Sequence, residues 1–292
     1  MRQRVIVSLI IPCRNEGSHL QQTLRSLTEA KTRLSYEIIV VDDGSTDGCC
    51  NFLEHNNIGV ILLKSSGLGV ANARNLGANA ARGDILCFCD AHIIVEDFWL
   101  DKLAQPLLEH AADLVCPAIA SAGRPQAIGY GVTWDSNLNW RWLYEEPATV
   151  KYIPLIPGGC LMVRRDVFKD LDGFEKGFRV FGYDDQEFSL KAWLFGYRAA
   201  VVPGVKVFHV FRKKHPYPVN WSDLIHNLLR MSFLHFNEKR IGKTIEVAKI
   251  HYGFGNVLAG LLFSDVWEKR RNYLVRRRYD DDWFMNKFGI NY

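Results

Sequence analysis

Asp90 and His92 stand two positions apart in "CFCDAHIIVED" (87–97), at the end of an apolar run. A carboxylate and an imidazole so spaced can hold a divalent cation that bridges a diphosphate. An imidazole suits Mn2+ better than Mg2+, which favours all-oxygen shells. A polar strand terminus with a satisfied histidine is the plainer alternative. His209 in "FHVFRKKHPY" (208–217) offers a third ligand near the end of another apolar run. Arg212, Lys213, Lys214 and His215 follow it and can close over a diphosphate, or form an ordinary basic loop. Cys87 and Cys89 lack CxxC spacing and sit in an apolar run, which reads as core thiols rather than zinc ligands.

A second group of carboxylates lies in "FGYDDQEFSLKAW" (181–193), where Asp184, Asp185 and Glu187 fall in the first turn of a helix. The helix dipole favours acids there whatever their role. With Phe188, Ala192 and Phe195 on the inward face, the carboxylates point from a rim, and one can serve as general base on an incoming hydroxyl or thiol. "VVDDGSTD" (40–47) ends a run in Asp42 and Asp43. These can accept hydrogen bonds from a nucleotide base or ribose, or merely end a strand with Ser45 or Thr46 as a helix cap. In "GLGVANARNLGANAARGD" (67–84), Arg74 can meet a phosphate, and Gly67 and Gly69 can bring backbone amides near it. The third glycine of a dinucleotide fingerprint is missing, so NAD is not expected.

The elements that must position these residues alternate. Apolar runs at 5–11, 36–41, 60–64 and 85–89 are separated by helical patterns near 18–30, 46–55 and 69–81. Such alternation predicts a Rossmann-like parallel sheet covered on both faces. Ligands of such sheets bind beyond the carboxyl ends of the strands. Pro12, Arg14 and Glu16 of "PCRNE", Asp42 and Asp43, and Asp90 and His92 should therefore line one rim. Further on, a helix is expected over 183–195, short strands at 199–202 and 205–211, and helices from 220 onward.

At 292 residues and 48% hydrophobic content, the chain can bury a core as one large domain or two small ones. A net charge of +4 is too mild to predict a nucleic-acid partner. Seven scattered cysteines fit free thiols in a reducing compartment, and a cytoplasmic location is expected. The apolar run before Pro12 is too short for a membrane span and flows into a strand pattern. The basic stretch "EKRRNYLVRRR" (268–278) can attract anionic lipid at the inner face of a membrane. "DDD" (280–282) argues for internal pairing instead.

"SLIIPCRNE", "IIVVDDGSTD" and "ARNLGANAARGDILCFCDAH" resemble family 2 glycosyltransferases of the GT-A fold. "NLNWRW", "PGGCLMVRRDVF", "FGYDDQEFSLKAWLFG" and "HVFRKKHPY" resemble, in the same order, the catalytic domain of polypeptide N-acetylgalactosaminyltransferases. The resemblance implies an α/β GT-A catalytic domain over 1–217, with a nucleotide-binding half (1–100) and an acceptor and sugar half (101–217). A helical extension (218–292) is expected to pack on its core. The resemblance further implies that Asp90, His92 and His209 bind Mn2+, with Mg2+ as the alternative. Asp43, Arg74, Arg212, His215 and Tyr217 would hold UDP, and Gly158, Gly159 and Asp184 would face the donor sugar. Trp140 and Trp142 match an aromatic segment of that family.

Two departures qualify the resemblance. The membrane anchor and lectin domain of the polypeptide transferases are not seen, so secretory targeting is not expected to carry over. Those enzymes have Glu-Asn where this chain has Asp184-Asp185, and inverting family 2 enzymes use an aspartate at the second position as base. The expected function is metal-dependent transfer of a hexose or N-acetylhexosamine from a UDP-sugar to a peptide, glycan or small molecule, with inversion and Asp185 as base. Rivals are a retaining transferase, a non-catalytic sugar-nucleotide-binding protein, and a nucleotidyltransferase. The last should show a Gly-rich basic loop after the first strand, where "PCRNEGSHL" has one glycine.

Overall fold

A computed structural model of the chain describes residues 5–55 and 59–292, so the basic residues Arg2 and Arg4 lie outside it. The first apolar runs form parallel strands β1 (Val7–Cys13), β2 (Tyr36–Asp43), β3 (Val60–Ser65) and β4 (Ile85–Cys89). Between them lie helices α1 (His19–Glu29), α2 (Asn51–His55) and α3 (Val70–Ala80). β2 pairs with one edge of β1 and β4 with the other. The chain therefore leaves β1 in one direction and restarts in the opposite one, which splays the loops after β1 and β4 apart and opens a crevice between them.

Beyond β4 the sheet becomes mixed. β5 (Ile93–Val95), α4 (Trp99–Leu108), β6 (Leu114–Ser121), β7 (Arg124–Gly129), the hairpin of β8 (Val132–Trp134) and β9 (Trp140–Trp142), and β10 (Lys151–Tyr152) come next. β11 (Cys160–Arg164) then runs antiparallel between β4 and β6. After α5 (Arg165–Asp170) and α6 (Asp184–Leu194), β12 (Ala199–His209) returns parallel to β6. The two short strands expected at 199–202 and 205–211 are thus one strand, with a register shift between Val202 and Lys206 that absorbs Pro203 and Gly204.

Strand side chains alternate between faces, and this divides the core in two. Leu9 and Ile11 of β1 and Cys87 of β4 join the cluster containing Leu24 of α1 and Leu103 of α4. Ile10 and Phe88 join the cluster containing Ala78 of α3 and Phe188 of α6. α3 approaches the sheet at Gly77, where a Cβ would stand 2.4 Å from Ile10 Cγ2. The helix expected over 46–55 shrinks to α2. Its first residues form a loop held by side chains, with Ser45 N–H donating to Asp42 Oδ1 (2.9 Å) and Cys49 N–H to Asp47 Oδ1 (3.0 Å).

α7 (Trp221–His235), α8 (Glu238–Ala248), α9 (Phe254–Leu262), α10 (Val266–Arg276) and α11 (Asp281–Phe288) complete the chain. Phe233, Phe236 and Phe284 enter the same cluster as Phe174 and Phe188. Several cations of the 268–278 stretch are used internally. Lys269 pairs with Glu175 (2.8 Å), Arg270 and Arg277 donate to the carbonyls of Phe233 (2.6 Å) and His235 (2.9 Å), and Arg276 pairs with Asp172 (2.5 Å). Asp281 and Asp282 pair with Arg240 of α8 rather than with that helix. No helix among the described residues is long and apolar enough to cross a membrane.

Candidate active site

The crevice holds a cavity of about 470 Å3. Its walls come from the loops after β1 and β4, the start of α6, the end of β12 and the segment beyond it.

Asp90 leaves the end of β4 and His92 follows, while β12 delivers His209 from across the sheet. Their ligand atoms lie within 4.8 Å of one another. His209 Nε2 is 3.0 Å and His92 Nε2 is 3.9 Å from Asp90 Oδ2. His92 Nδ1 meets Glu16 Oε2 at 3.1 Å, so the ring donates there and leaves its Nε2 lone pair facing Asp90. Burial raises the affinity of the Asp90 carboxyl for a proton, but the hydrogen bond with His209 and the proximity of His92 and the Arg74 cation outweigh it and hold the group ionised. One ionised oxygen and two imidazole nitrogens, one oriented from behind by a carboxylate, make a donor set suited to a divalent cation. Gly159 belongs to this corner because it is small: a Cβ there would stand 3.0 Å from the His209 ring.

Arg74 is buried on α3 and ties the metal corner to α6. It pairs with Asp184, reaches Asp90 Oδ1 (3.3 Å) and donates to the Gly158 carbonyl (2.7 Å). Asp185 sits beside it, with Oδ2 accepting from Gly158 N–H (2.8 Å) and Oδ1 from Gln186 N–H (2.8 Å). A Cβ at Gly158 would lie 3.0 Å from Asp185 Oδ2 and 3.3 Å from Arg74 Nη2, so a side chain there would crowd both. Burial, then the negative charge of Asp184, pushes the Asp185 carboxyl up to about 7 despite the Arg74 cation. Burial likewise raises Asp184. A carboxylate at the N-terminus of a helix with so high a proton affinity is fitted to take a proton near neutrality.

The opposite wall carries the cations. Arg212 forks onto both oxygens of Glu16, the Oε1 contact being 3.1 Å. Lys213, Lys214 and His215 line the mouth, His215 against Phe181 (4.4 Å between centroids). Tyr217 lies under the Arg14 guanidinium at 5.3 Å, and Pro12 completes that side. Trp140 and Trp142, edge to face at 5.7 Å, also reach the cavity, Trp142 meeting Phe211.

Of the residues singled out in the sequence, Glu187 is buried against Lys191 and His235 rather than set on the rim, Gly67 does not line the cavity, and neither does Asp42. Neighbouring strand residues face opposite ways, and its carboxylate is turned to Ser45 N–H. Asp43 lines the wall, but its oxygens accept from Ser65 Oγ (2.7 Å) and from the amides of Gly67 (3.1 Å), Leu68 (2.6 Å) and Gly69 (2.9 Å). The amides expected to meet phosphate are therefore engaged by Asp43. Gly69 is needed for its backbone: φ is +84° and a Cβ would stand 3.0 Å from Val180.

One positioning residue was not legible. Asn227, buried on α7, accepts from Arg179 N–H (2.8 Å) and donates to the carbonyls of Arg179 (2.8 Å), Phe181 (3.2 Å) and Gly182 (3.0 Å). It thereby fixes the loop that leads into Asp184, whose last residue, Tyr183, has φ +66°. Its signal is an amide inside the apolar run "LIHNLL" (224–229).

A Rossmann-like half continued by a mixed sheet, with a strand-end carboxylate and two histidines at the crevice, defines a GT-A glycosyltransferase fold. The chain belongs to glycosyl transferase family 2, whose model matches residues 8–172; that of the N-terminal domain of galactosyltransferase matches residues 150–216. It is 32% identical over 232 residues to polypeptide N-acetylgalactosaminyltransferase 8 of Drosophila melanogaster, covering 70% of this chain and 38% of that protein. Polypeptide N-acetylgalactosaminyltransferase 14 of Homo sapiens is 31% identical over 229 residues, 72% of this chain and 41% of the other. The chain thus spans about two fifths of the length of these relatives. Among solved structures, GalNAc-T7 with UDP, GalNAc and Mn2+ superposes with a TM-score of 0.76 at 21% identity, over 99% of this chain and 57% of the other. TarS of S. aureus with UDP-GlcNAc gives 0.61 at 19% identity, over 89% of this chain and 74% of that one.

Proposed function

We propose that the protein transfers a hexose or N-acetylhexosamine from a UDP-sugar to the hydroxyl or thiol of a peptide, glycan or small molecule, with Mn2+ held by Asp90, His92 and His209. The observation that carries this reading is the convergence, in one cavity, of that donor set, a high-affinity carboxylate at Asp185 and the cations Arg212, Lys213 and Lys214. The GalNAc-T7 and TarS complexes with UDP or a UDP-sugar support the nucleotide, and GalNAc-T7 supports the metal.

In the proposed reaction Asp185 takes the proton of the acceptor as the acceptor attacks C1 of the sugar in line with the departing UDP. The Gly158 amide orients Asp185 Oδ2, leaving lone pairs for that proton. Arg74 pairs with Asp184 and offsets part of its charge, and what remains keeps the proton affinity of Asp185 high. Arg212, Lys213 and Lys214 screen charge at the diphosphate end, where the leaving group becomes more negative. Bound Mn2+ supplies further positive charge there. A retaining reaction is the second reading, favoured by the likeness to polypeptide N-acetylgalactosaminyltransferases. The anomeric configuration of the product, read by NMR, decides between them.

Calorimetric titration of UDP and a panel of UDP-sugars, with Mn2+ and then with chelator, tests the donor site. Metal-dependent binding that selects one UDP-sugar is expected; absence of binding in both conditions removes the proposal, and binding without turnover over a wide acceptor panel favours the non-catalytic rival. His209→Ala is expected to weaken the Mn2+ dependence of UDP binding by an order of magnitude or more, and an unaltered Mn2+ titration would exclude it as a ligand. A base must be ionised to act. With the Asp185 carboxyl at about 7, kcat/KM should rise with pH through neutrality and level off above pH 8. A profile flat from pH 5.5 to 8 would assign proton removal to another group.

A further inference from the structure

Cys13, the last residue of β1, and Cys49 and Cys50, just before α2, bring three sulfurs together beside the donor cavity. The Sγ separations are 3.5 Å (Cys13 to Cys49), 3.6 Å (Cys13 to Cys50) and 3.9 Å (Cys49 to Cys50). An ion at the centre of this triangle would stand about 2.1 Å from each sulfur (mean side divided by √3), within a few tenths of an ångström of the ~2.3 Å typical of a metal–thiolate bond. The two loops that supply the sulfurs are fixed to one another. Asp47 accepts from Gly17 N–H (2.8 Å) and Cys49 N–H (3.0 Å), and Asn15 N–H donates to Ser45 Oγ (3.1 Å). Cys49 directly follows exposed Gly48, so the trio is one residue from solvent.

We propose that Cys13, Cys49 and Cys50 form a three-thiolate site for a soft cation, and that monovalent copper is the ion it takes. Thiolates select soft ions, and structural zinc requires a fourth ligand that this triangle does not supply. The thiol protons leave to solvent as the metal–sulfur bonds form, and no electron is exchanged. The site is separate from the oxygen and nitrogen donor set at Asp90. It is also unlike the trio of Cys87, Cys89 and Cys160, which comes from mid-sheet strands and is buried on all sides. Because Cys13 continues into the cavity wall at Arg14, an occupied site would fasten the end of β1 to the start of α2.

The test uses the full chain, stripped of metal, reduced and kept anaerobic, titrated with Cu(I) against a chromogenic Cu(I) chelator. One equivalent should be retained, lost in the Cys49→Ser/Cys50→Ser variant and kept in Cys160→Ala. No retained equivalent, retention unchanged in the double variant, or zinc held where copper is refused would each overturn the assignment. Should the double variant fail to fold, X-ray absorption at the copper edge of the unaltered protein decides: a shell of sulfur neighbours alone supports the site, and nitrogen neighbours, which would put copper on His92 and His209, overturn it.

Discussion

Asp185→Asn lowers kcat by about 10²- to 10⁴-fold, the range that general-base catalysis supplies, while UDP and Mn2+ bind as before. Asparagine keeps the size of the side chain and an oxygen for the Gly158 amide, so the wall of the cavity stays in place. What it cannot do is take a proton. Asp184→Asn makes the discriminating comparison, because Asp184 is paired with Arg74 and its loss leaves that buried cation with Asp90 as its remaining ion-pair partner. That variant should disturb donor binding as well as turnover. Calorimetry with UDP and single-turnover rates on both variants separate the two effects. Full activity in Asp185→Asn would mean that the proton is accepted elsewhere, and the in-line reaction with inversion would lose its base.

Glu175→Gln destabilises the fold by about 3–5 kcal/mol, as expected when one member of a buried ion network is removed. Glu175 is fully buried, and its Oε1 accepts from Arg230 Nε (3.0 Å) and Nη2 (2.8 Å), from Lys269 (2.8 Å) and from Gly177 N–H (2.8 Å). Burial pushes its carboxyl up, yet Arg230, Lys269 and Lys191 overcome that and bring it to about 2 from an ordinary 4.5. The folded value is depressed, so this contribution is present above pH 4.5 and is lost as pH falls towards 2. The melting temperature of the variant should lie roughly 10 °C below that of the unaltered protein at pH 7, at 2–4 °C per kcal/mol. The gap should close on acidification. A constant gap down to pH 3 would show that the loss comes from packing rather than from the charge.

The half of the fold that repeats strand and helix was legible because each apolar run and its polar terminus are local signals. Asp90, His92 and Glu16 follow from the same fact, since a parallel strand delivers what lies just beyond its carboxyl end to one rim. His209 could be read as a ligand candidate but not its distance from Asp90, which depends on β12 lying across the sheet. Strand direction was less legible: "CLMVR" is apolar whichever way it runs, and only its neighbours make β11 antiparallel. α6 was read as amphipathic, yet its polar residues Glu187 and Lys191 are buried as well, paired at 3.2 Å with His235 on the far side of Glu187. Such partners, 48 residues apart, leave no periodic trace. Asn227 and Glu175 escaped notice for the same reason.

The clamp from Asn227 onto residues 179–182 also bears on how such a chain can be recombined. A boundary drawn at residue 217, where the recognisable motifs end, keeps the donor set, both carboxylates and the cationic segment. It leaves behind the amide that shapes the turn into Asp184. A chimera joining the first 217 residues to a foreign tail would inherit the inventory of the site without the mould that sets it, and the helical tail is in that sense not an interchangeable cassette.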